Sequence, residues 1–308
     1  MSAAAVAAGL DTTAAPAAAK SNPMDTILDA GARDLSPQSF ARLAEYITTE
    51  LGIKMPESKL SMVQSRLLRR VRELGLPSVE QYGEYFFASA HEEEREQFIN
   101  AITTNKTDFF REPVHFEFLV RTALPSLARS RSGTPGSPFK VWSAGCSSGE
   151  EPYTLAMVLN EYALGRPGFD YAILGTDVST RVLEQARRGI YQESQIAPVP
   201  ADLRRRYVWR GRNGSAGAVR IIPELRRRLT LHRLNFMDED YRISDIFDAV
   251  FFRNVMIYFD RPTQEAVVNK ICRNLAPGGY LFMGHSESLA GFDVPVRAVQ
   301  PSVFRRSG

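Results

Sequence analysis

The sequence has few of the side chains that disulfide frameworks and metal centres require. Its 308 residues include two cysteines and four histidines. Cys146 and Cys272 lie far apart on dissimilar segments, so a disulfide framework is not indicated and a reducing, cytoplasmic setting fits best. The histidines are scattered and accompany no cysteine cluster: His91, His115, His232 and His285. This pattern excludes a zinc enzyme and predicts no metal site.

A long apolar run and a strong charge imbalance are also lacking. No stretch approaches the roughly 20 apolar residues of a membrane span, so no membrane insertion is expected. Residues 1–34 are rich in alanine and lack the positive start and leucine-type block of a signal peptide, which predicts a disordered tail. The formal net charge of +3 is too small to identify a partner.

Residues 35–103 carry the apolar periodicity of a small all-α domain. Capping residues and apolar stripes predict four helices, which start at Ser36-Pro37, after Pro56, at Ser78 and at residues 91–96. The second helix is expected to turn five apolar side chains inward: Leu60, Val63, Leu67, Val71 and Leu74. Residues 104–138 are predicted to form a polar linker and a connecting helix that begins at Pro113.

A basic face is predicted on the second helix. At about 100° per residue, three basic side chains stack on one side of this helix and a fourth lies beside them. We call this set the basic face: Lys59, Arg66, Arg69 and Arg70. The face is either solvated or a docking surface for an acidic partner, and the two interpretations carry about equal weight.

Residues 139–153 read as an apolar strand, a small-residue loop and a helix start. Gly145 and Gly149 allow a tight turn and a close approach to a ligand. The loop lacks the G-x-G-x-x-G pattern that receives a pyrophosphate, and it ends at Glu150, which would repel phosphate. A carboxylate there suits a cationic ligand such as the ammonium and sulfonium of S-adenosylmethionine. The alternative is a tight turn that binds nothing.

From residue 139 to residue 308, strands alternate with helices, which predicts a doubly wound, mostly parallel sheet. Ligands of such sheets bind beyond the carboxyl ends of the strands, where an acid commonly takes ribose hydroxyls. Four strand ends carry polar groups there: Glu150, Asp177, Asn235 and Asn254-Val255.

Residues 203–223 interrupt this alternation with a predicted inserted β-hairpin. Its two strands are placed at residues 206–210 and 218–222, and several arginines make the segment basic. The hairpin is either a surface insertion without a binding role or an edge that accepts a peptide strand.

Four motifs resemble the CheR family, the chemotaxis receptor glutamate O-methyltransferases. They occur in the family's order: NKTDFFRE at residues 105–112, WSAGCSSGEEPY at 142–153, FRNVMIYF at 252–259 and GGYLFMGHSES at 278–288. The resemblance covers roughly Ser36 to the C-terminus. One departure is Cys146, where relatives carry alanine, and a small residue of either kind suits the position. The resemblance implies a Rossmann-like class I methyltransferase sheet.

The resemblance also implies a set of cofactor contacts. S-adenosylmethionine would contact Asn105, Thr107, Arg111, Glu150, Asp177, Asn235, Phe236, Asn254 and Val255. Glu150 would neutralise the ligand's amino group, Asp177 would hold the ribose hydroxyls and Phe236 would help to place the adenine. S-adenosylhomocysteine would be the product.

The substrate implied by the resemblance is a glutamate side chain on the cytoplasmic helices of a chemoreceptor, converted to a methyl ester. Arg111 and Tyr258 would orient that carboxylate, although Arg111 could instead contact the carboxylate of the cofactor. The basic face would dock near the acidic methylation region. The hairpin, as in some relatives, would hold a C-terminal receptor tail.

Three other functions are alternatives to a receptor methyltransferase. A nucleic-acid methyltransferase fits the arginines, but the amino-methylating DNA enzymes carry a Pro-Pro-aromatic turn where this chain has Asn254-Val255. A non-catalytic module that binds S-adenosylmethionine and a receptor would have no need of Arg111 and Tyr258, which are both present. An esterase is rejected because no histidine follows Ser286, as the hydrolase order requires.

Overall fold

The computed structural model describes residues 35–130, 137–210 and 217–307. The tail predicted at residues 1–34 and the tip of the predicted hairpin, residues 211–216, lie outside these described residues. Within the described ranges, no helix has the length and apolarity needed to cross a bilayer.

Four helices pack into the N-terminal helical domain: α1 (Pro37–Leu51), α2 (Leu60–Glu73), α3 (Val79–Ser89) and α4 (Glu92–Ile102). The Ser36 side chain accepts a hydrogen bond from the Ser39 N–H at the start of α1, and Gly52 ends this helix at φ 68°. The four predicted helices are therefore confirmed. The inward position predicted for Leu74 is wrong, because Leu74 caps α2 and is 37% exposed.

A connecting segment follows the linker. It consists of α5 (Val114–Phe118), a π-helical stretch (Leu119–Ala123) and α6 (Leu124–Ser130). Within the linker, Phe109 is buried, and its ring packs edge-on against Tyr191 with the ring centroids 5.0 Å apart. This aromatic contact anchors the linker to the sheet domain.

In the described parts of the chain, ten strands form two sheets. They are β1 (Phe139–Ala144), β2 (Tyr171–Asp177), β3 (Ile190–Gln192), β4 (Val208–Arg210), β5 (Ala218–Ile221), β6 (Leu229–Arg233), β7 (Phe247–Phe252), β8 (Leu275–Met283), β9 (Val296–Gln300) and β10 (Val303–Arg306). The large sheet has the order β6-β2-β1-β7-β8-β10-β9. Its first five strands pair in parallel, and β10 pairs antiparallel with β8 and β9.

The strand order reverses between β1 and β7. The chain runs outward from β1 through β2 to β6, then returns to β7 on the other side of β1. The connections that follow β1 and β7 therefore run in opposite directions along the sheet, and this opens a crevice at the carboxyl ends of these two strands. The predicted doubly wound sheet is confirmed, and its topology fixes where a ligand can bind.

Five helices complete the sheet domain: α7 (Glu150–Ala163), α8 (Thr180–Arg188), α9 (Ala201–Tyr207), α10 (Pro223–Arg226) and α11 (Arg261–Arg273). Buried clusters on the two faces of the large sheet form its core. α11 ends at Arg273, and β8 begins at Leu275.

The inserted subdomain is larger than a hairpin. β4 and β5 pair antiparallel as predicted, but β3 pairs with the other edge of β5 and makes a three-stranded sheet. Residues 203–207, expected at the start of the hairpin, belong to α9. The three residues of β3 are too few to show an alternating pattern, so this strand carries no periodic signal in the sequence. At the β4 edge, Trp209 is 57% exposed.

Candidate active site at the β1–β7 crevice

A cavity of about 290 Å³ lies over the carboxyl ends of β1 and β7 and is roofed by the helical domain. This volume is at the lower end of the range for small-molecule sites, roughly 300–1,000 Å³. Two hydrogen bonds join the domains beside it. Asn235 Nδ2 donates to the Glu50 carbonyl at 2.6 Å, and the Lys54 N–H donates to the Tyr258 carbonyl at 2.9 Å.

The loop after β1 forms the floor of the cavity and requires glycine at two positions. Gly145 has φ 84°, and a Cβ there would overlap Cγ2 of Val255. Gly149 has φ 99°, and a Cβ there would lie 2.8 Å from the Tyr191 hydroxyl oxygen. Gly145 therefore brings bare backbone to the cavity, whereas Gly149 allows the loop to pack against Ala186 and Tyr191.

Asp177 is fixed at the end of β2 by the neighbouring backbone. It is 7% exposed, and its two carboxylate oxygens accept hydrogen bonds from the Ser147 N–H at 2.9 Å and the Ser179 N–H at 3.0 Å. Burial raises the pKa of Asp177, and these N–H groups oppose that rise. The carboxylate lines the cavity with free lone pairs that can accept hydroxyl donors.

The acids at the start of α7 face different ways. Glu150 is 3% exposed, accepts a hydrogen bond from the Ser148 hydroxyl at 2.6 Å and is not among the residues that line the cavity. Glu151 does line it and accepts from the Ser143 hydroxyl at 2.7 Å. The structure therefore does not bring Glu150 to the cavity wall, where the acids are Asp108, Glu151 and Asp177.

Arg111 projects from a strained turn of the linker. Phe110 and Glu112, on either side of it, both have φ 55°, a left-handed conformation that is uncommon for residues other than glycine. The Phe110 N–H donates to the Thr154 hydroxyl at 3.1 Å, and the Arg111 carbonyl accepts from Arg253 at 2.5 Å. Such strain persists only where surrounding contacts hold it, and it clusters at functional sites.

Arg253 is a buried cation between two carboxylates. Its side chain is 2% exposed, and its Nε lies 3.5 Å from Glu112 Oε2 and 3.4 Å from Glu151 Oε2. Burial acts to raise the pKa of Glu112, but Arg253 and the backbone N–H of His285 outweigh it, so this pKa lies below its usual range. For Glu151 burial prevails and raises the pKa, although Arg253 opposes this rise.

Two of the histidines are close together, which corrects the expectation that all four are scattered. The His115 and His285 rings lie 5.1 Å apart, and with Glu112 they could in principle offer three metal ligands. The Glu112 oxygen nearest to His115 already faces the Arg253 guanidinium, so a divalent ion would be placed beside a buried cation. Burial lowers the pKa of His115 to about 4, and we interpret His115 as a buried, neutral imidazole.

A second strained turn follows β7. Asn254 has φ 59° and, together with Val255 and Tyr258, lines the cavity. Burial lowers the pKa of Arg66, and the phenol of Tyr258 acts to raise it, which places these two polar groups near each other. The turn therefore brings a cofactor-facing segment and a phenol to the same cavity.

The structure divides the basic face. Lys59 and Arg66 line the cavity, and Arg66 donates to the Ile102 carbonyl and to the Thr104 hydroxyl. The Arg69 side chain is 77% exposed and pairs with Glu73. Arg70 pairs with Glu73 and with the buried Glu94, which also accepts from Tyr82. Half of the basic face thus reaches the cavity, and Arg70 is already neutralised within the domain.

Most of the residues proposed from sequence converge on this one cavity: Asn105, Thr107, Arg111, Asp177, Asn235, Phe236, Asn254, Val255 and Tyr258. Sequence reasoning missed five charged lining residues: Lys54, Lys106, Asp108, Glu151 and Arg253. All of them except Lys54 lie inside a motif that was singled out, so for these four the signal was present. What the sequence did not show was which side chain of each motif faces inward.

Comparisons with known proteins agree with this architecture. Residues 38–103 match the family model described as the all-alpha domain of CheR methyltransferase, and residues 105–303 match its SAM binding domain.

Similar curated proteins are named chemotaxis protein methyltransferases. The chain is 40% identical to chemotaxis protein methyltransferase 2 of Pseudomonas aeruginosa over 87% of this chain and 92% of the relative. It is 40% identical to the chemotaxis protein methyltransferase of Salmonella typhimurium over 83% and 85%, and 35% identical to that of Borreliella burgdorferi over 89% and 96%. The chain therefore belongs to the CheR methyltransferase family, and its cofactor is S-adenosylmethionine.

Proposed function

We propose that this chain transfers a methyl group from S-adenosylmethionine to glutamate side-chain carboxylates of chemoreceptors, as a protein-glutamate O-methyltransferase. The relatives are named chemotaxis protein methyltransferases, which supports a chemoreceptor substrate. These relatives favour neither a nucleic-acid methyltransferase nor a non-catalytic module.

One observation carries the proposal: acids and cations line the same cavity. The acids are Asp108, Glu151 and Asp177, which we call the acidic wall, and the cations include Lys59, Arg66 and Arg111. The acidic wall suits the ammonium, sulfonium and ribose of the cofactor, and the glycine loop leaves room for it. The cations suit an incoming carboxylate. A site that brings a cationic donor to an anionic acceptor requires charged groups of both signs.

The cofactor contacts are part of the proposal. Asp177 holds the ribose hydroxyls, Phe236 packs near the adenine, and Asn254 and Val255 border the pocket. The acidic wall, rather than Glu150 alone, neutralises the amino group, because Glu150 is 3% exposed and does not line the cavity. When bound, the cofactor supplies an activated methyl group.

The chain's own residues then act by positioning. An exposed glutamate has a pKa near 4.3 and is ionised at neutral pH, so no strong general base is needed. Arg111 orients the substrate carboxylate by hydrogen bonds, and Tyr258 donates one from another side. Positioning of this kind can contribute on the order of 7–11 kcal/mol to lowering a barrier.

The receptor would approach over the helical domain. Lys59 and Arg66 lie where α2 meets the cavity and would attract the acidic methylation helices. The exposed β4 edge with Trp209 is the candidate site for a C-terminal receptor tail, by strand addition. No detectable binding of receptor tail peptides would remove that part of the proposal.

The test is methyl transfer to candidate chemoreceptors. The purified chain is incubated with radiolabelled S-adenosylmethionine and receptor-containing membranes, and the product is treated with mild base. We expect label on the receptor that base releases as methanol, because methyl esters are base-labile. Label that resists base would contradict ester formation.

A further inference from the structure

The segment after β8 contains a buried carboxylate to which the proposed function gives no role. Glu287 is 7% exposed, and its Oε2 accepts hydrogen bonds from the Gly284 N–H at 2.7 Å and the Asn254 N–H at 2.9 Å. Glu287 does not line the cavity. Its contacts are with the backbone that carries cavity residues.

This carboxylate faces the start of the second strained turn. Asn254 has φ 59°, and the 3₁₀ turn Met256–Tyr258 follows it. Burial raises the pKa of Glu287, and the backbone N–H groups of Asn254, Gly284, Met256 and Ile257 oppose this rise. An anion that faces several N–H groups of one turn holds that turn in shape through charge-assisted hydrogen bonds.

Gly284 shows how closely the two segments pack. A Cβ at this position would overlap Nδ2 of Asn254 and lie 2.9 Å from Glu287 Oε2. The backbone after β8 therefore lies directly against the Asn254 side chain. Any displacement of this segment would move Asn254 and the turn behind it.

We propose that Glu287 is a positioning residue, which holds the Asn254–Tyr258 backbone so that Val255 and Asn254 border the cofactor pocket and Tyr258 faces the substrate carboxylate. The inference rests on the proposed function for the role of Tyr258. The part of the inference that concerns the cofactor pocket does not rest on the proposed function, because binding of S-adenosylhomocysteine requires no receptor.

The test compares Glu287→Gln with the matched control Asp248→Asn. Asp248 is also 7% exposed and also accepts a backbone N–H, from Lys140, but it lies at the amino end of β7, away from the cavity. Thermal melting, calorimetric binding of S-adenosylhomocysteine and steady-state methyl transfer are measured for both variants and for the wild type.

We expect both variants to melt at a lower temperature than the wild type. Glu287→Gln should also lower kcat about tenfold to a hundredfold, the range that a displacement of about 1 Å at a catalytic group produces, with a smaller change in KM for receptor. It should weaken S-adenosylhomocysteine binding several-fold. Asp248→Asn should keep kcat and product affinity near the wild-type values.

A second variant, Gly284→Ala, perturbs the same contact from the other side and should show the same drop in kcat. Wild-type kcat and product affinity in folded Glu287→Gln would overturn the proposal. So would failure of both variants to fold while Asp248→Asn folds, since Glu287 would then be structural. If the wild type binds S-adenosylhomocysteine but methylates no receptor, the proposed function fails, and product affinity alone decides the role of Glu287.

Discussion

At the scale of single residues, strained backbone marks the site. Among the described residues, six non-glycine residues have positive φ. Two of them, Ser147 and Asn254, line the cavity, and two others, Phe110 and Glu112, flank the lining residue Arg111. Each conformation of this kind costs of order 1 kcal/mol and persists only where contacts enforce it. Here the contacts come from Thr154, Arg253, Asp177 and Glu287. Their common effect is to fix Arg111 and the Asn254 turn at one cavity.

Replacing Arg111 should abolish most of the activity and leave the fold intact. Arg111→Ala is expected to lower kcat about 100-fold or more, because the substrate carboxylate loses its orienting donor. The side chain lies at the cavity wall rather than in the core, so the melting temperature should change little.

The matched control for this variant is Arg121→Ala, an exposed arginine of the π-helical stretch. It should retain wild-type turnover. Methyl transfer by folded Arg111→Ala at the wild-type rate would remove the assignment.

At the scale of elements, the β1–α7 loop depends on glycine where the cavity lies. Gly145→Ala should weaken S-adenosylhomocysteine binding at least tenfold, because the new methyl group would overlap Val255 in a left-handed backbone. Gly75→Ala is the matched control, since Gly75 has φ 67° but no atom within 4 Å of the added Cβ.

Both glycine variants should lose about 1 kcal/mol of unfolding free energy from the backbone conformation alone. Only Gly145→Ala should lose affinity in calorimetry. Equal affinities in the two variants would show that the loop is a turn without a ligand role.

The division of the basic face on α2 predicts unequal effects of its arginines. Arg66→Gln should raise KM for the receptor several-fold, most strongly at low salt, because Arg66 reaches the cavity. Arg69→Gln should change KM little, since its side chain is 77% exposed and pairs with Glu73. Receptor methylation assayed at two salt concentrations distinguishes the two variants. Equal KM values for both variants would contradict the division of the basic face.

Elements with strong local signals were predictable from the sequence. Ser36, for example, marks the start of α1. β3 was missed because three residues carry no period. Which acid of α7 lines the cavity was not predictable, because Glu150 and Glu151 are adjacent and about 100° apart on the helix, so only packing decides which one faces the cavity.

At the scale of the whole molecule, the helical domain is fastened to the sheet domain around the cavity. The Asn100 side chain accepts from the Ser179 hydroxyl at 2.7 Å and donates to Thr180 at 3.0 Å, which ties α4 to the start of α8. These contacts join residues about eighty positions apart. The sequence predicts both domains, but it does not show how they meet.

His115 should make the free energy of unfolding decrease as the pH falls below neutral. Its pKa falls from 6.5 to about 4 in the folded chain, first through burial and then through Arg253. The unfolded chain therefore binds a proton first as the pH falls below 6.5, and stability is lost between about pH 6.5 and pH 4. From pH 7 to pH 5 this loss should be about 2 kcal/mol.

The measurement is urea unfolding of the wild type and His115→Gln at both pH values. The variant should lose less stability than the wild type over this interval. Subtracting the loss of unfolding free energy in the variant from the loss in the wild type removes the effect of the buried acids, which both proteins share. Equal losses would show that His115 is not buried in its neutral form.

The central claim is that the β1–β7 cavity binds S-adenosylmethionine against its acidic wall. Calorimetric titration of the purified chain with S-adenosylhomocysteine tests it most directly, with Asp177→Ala as the comparison. We predict a single saturable site in the wild type and at least tenfold weaker binding in the variant. No heat of binding in the wild type, or equal affinity in both proteins, would contradict the account.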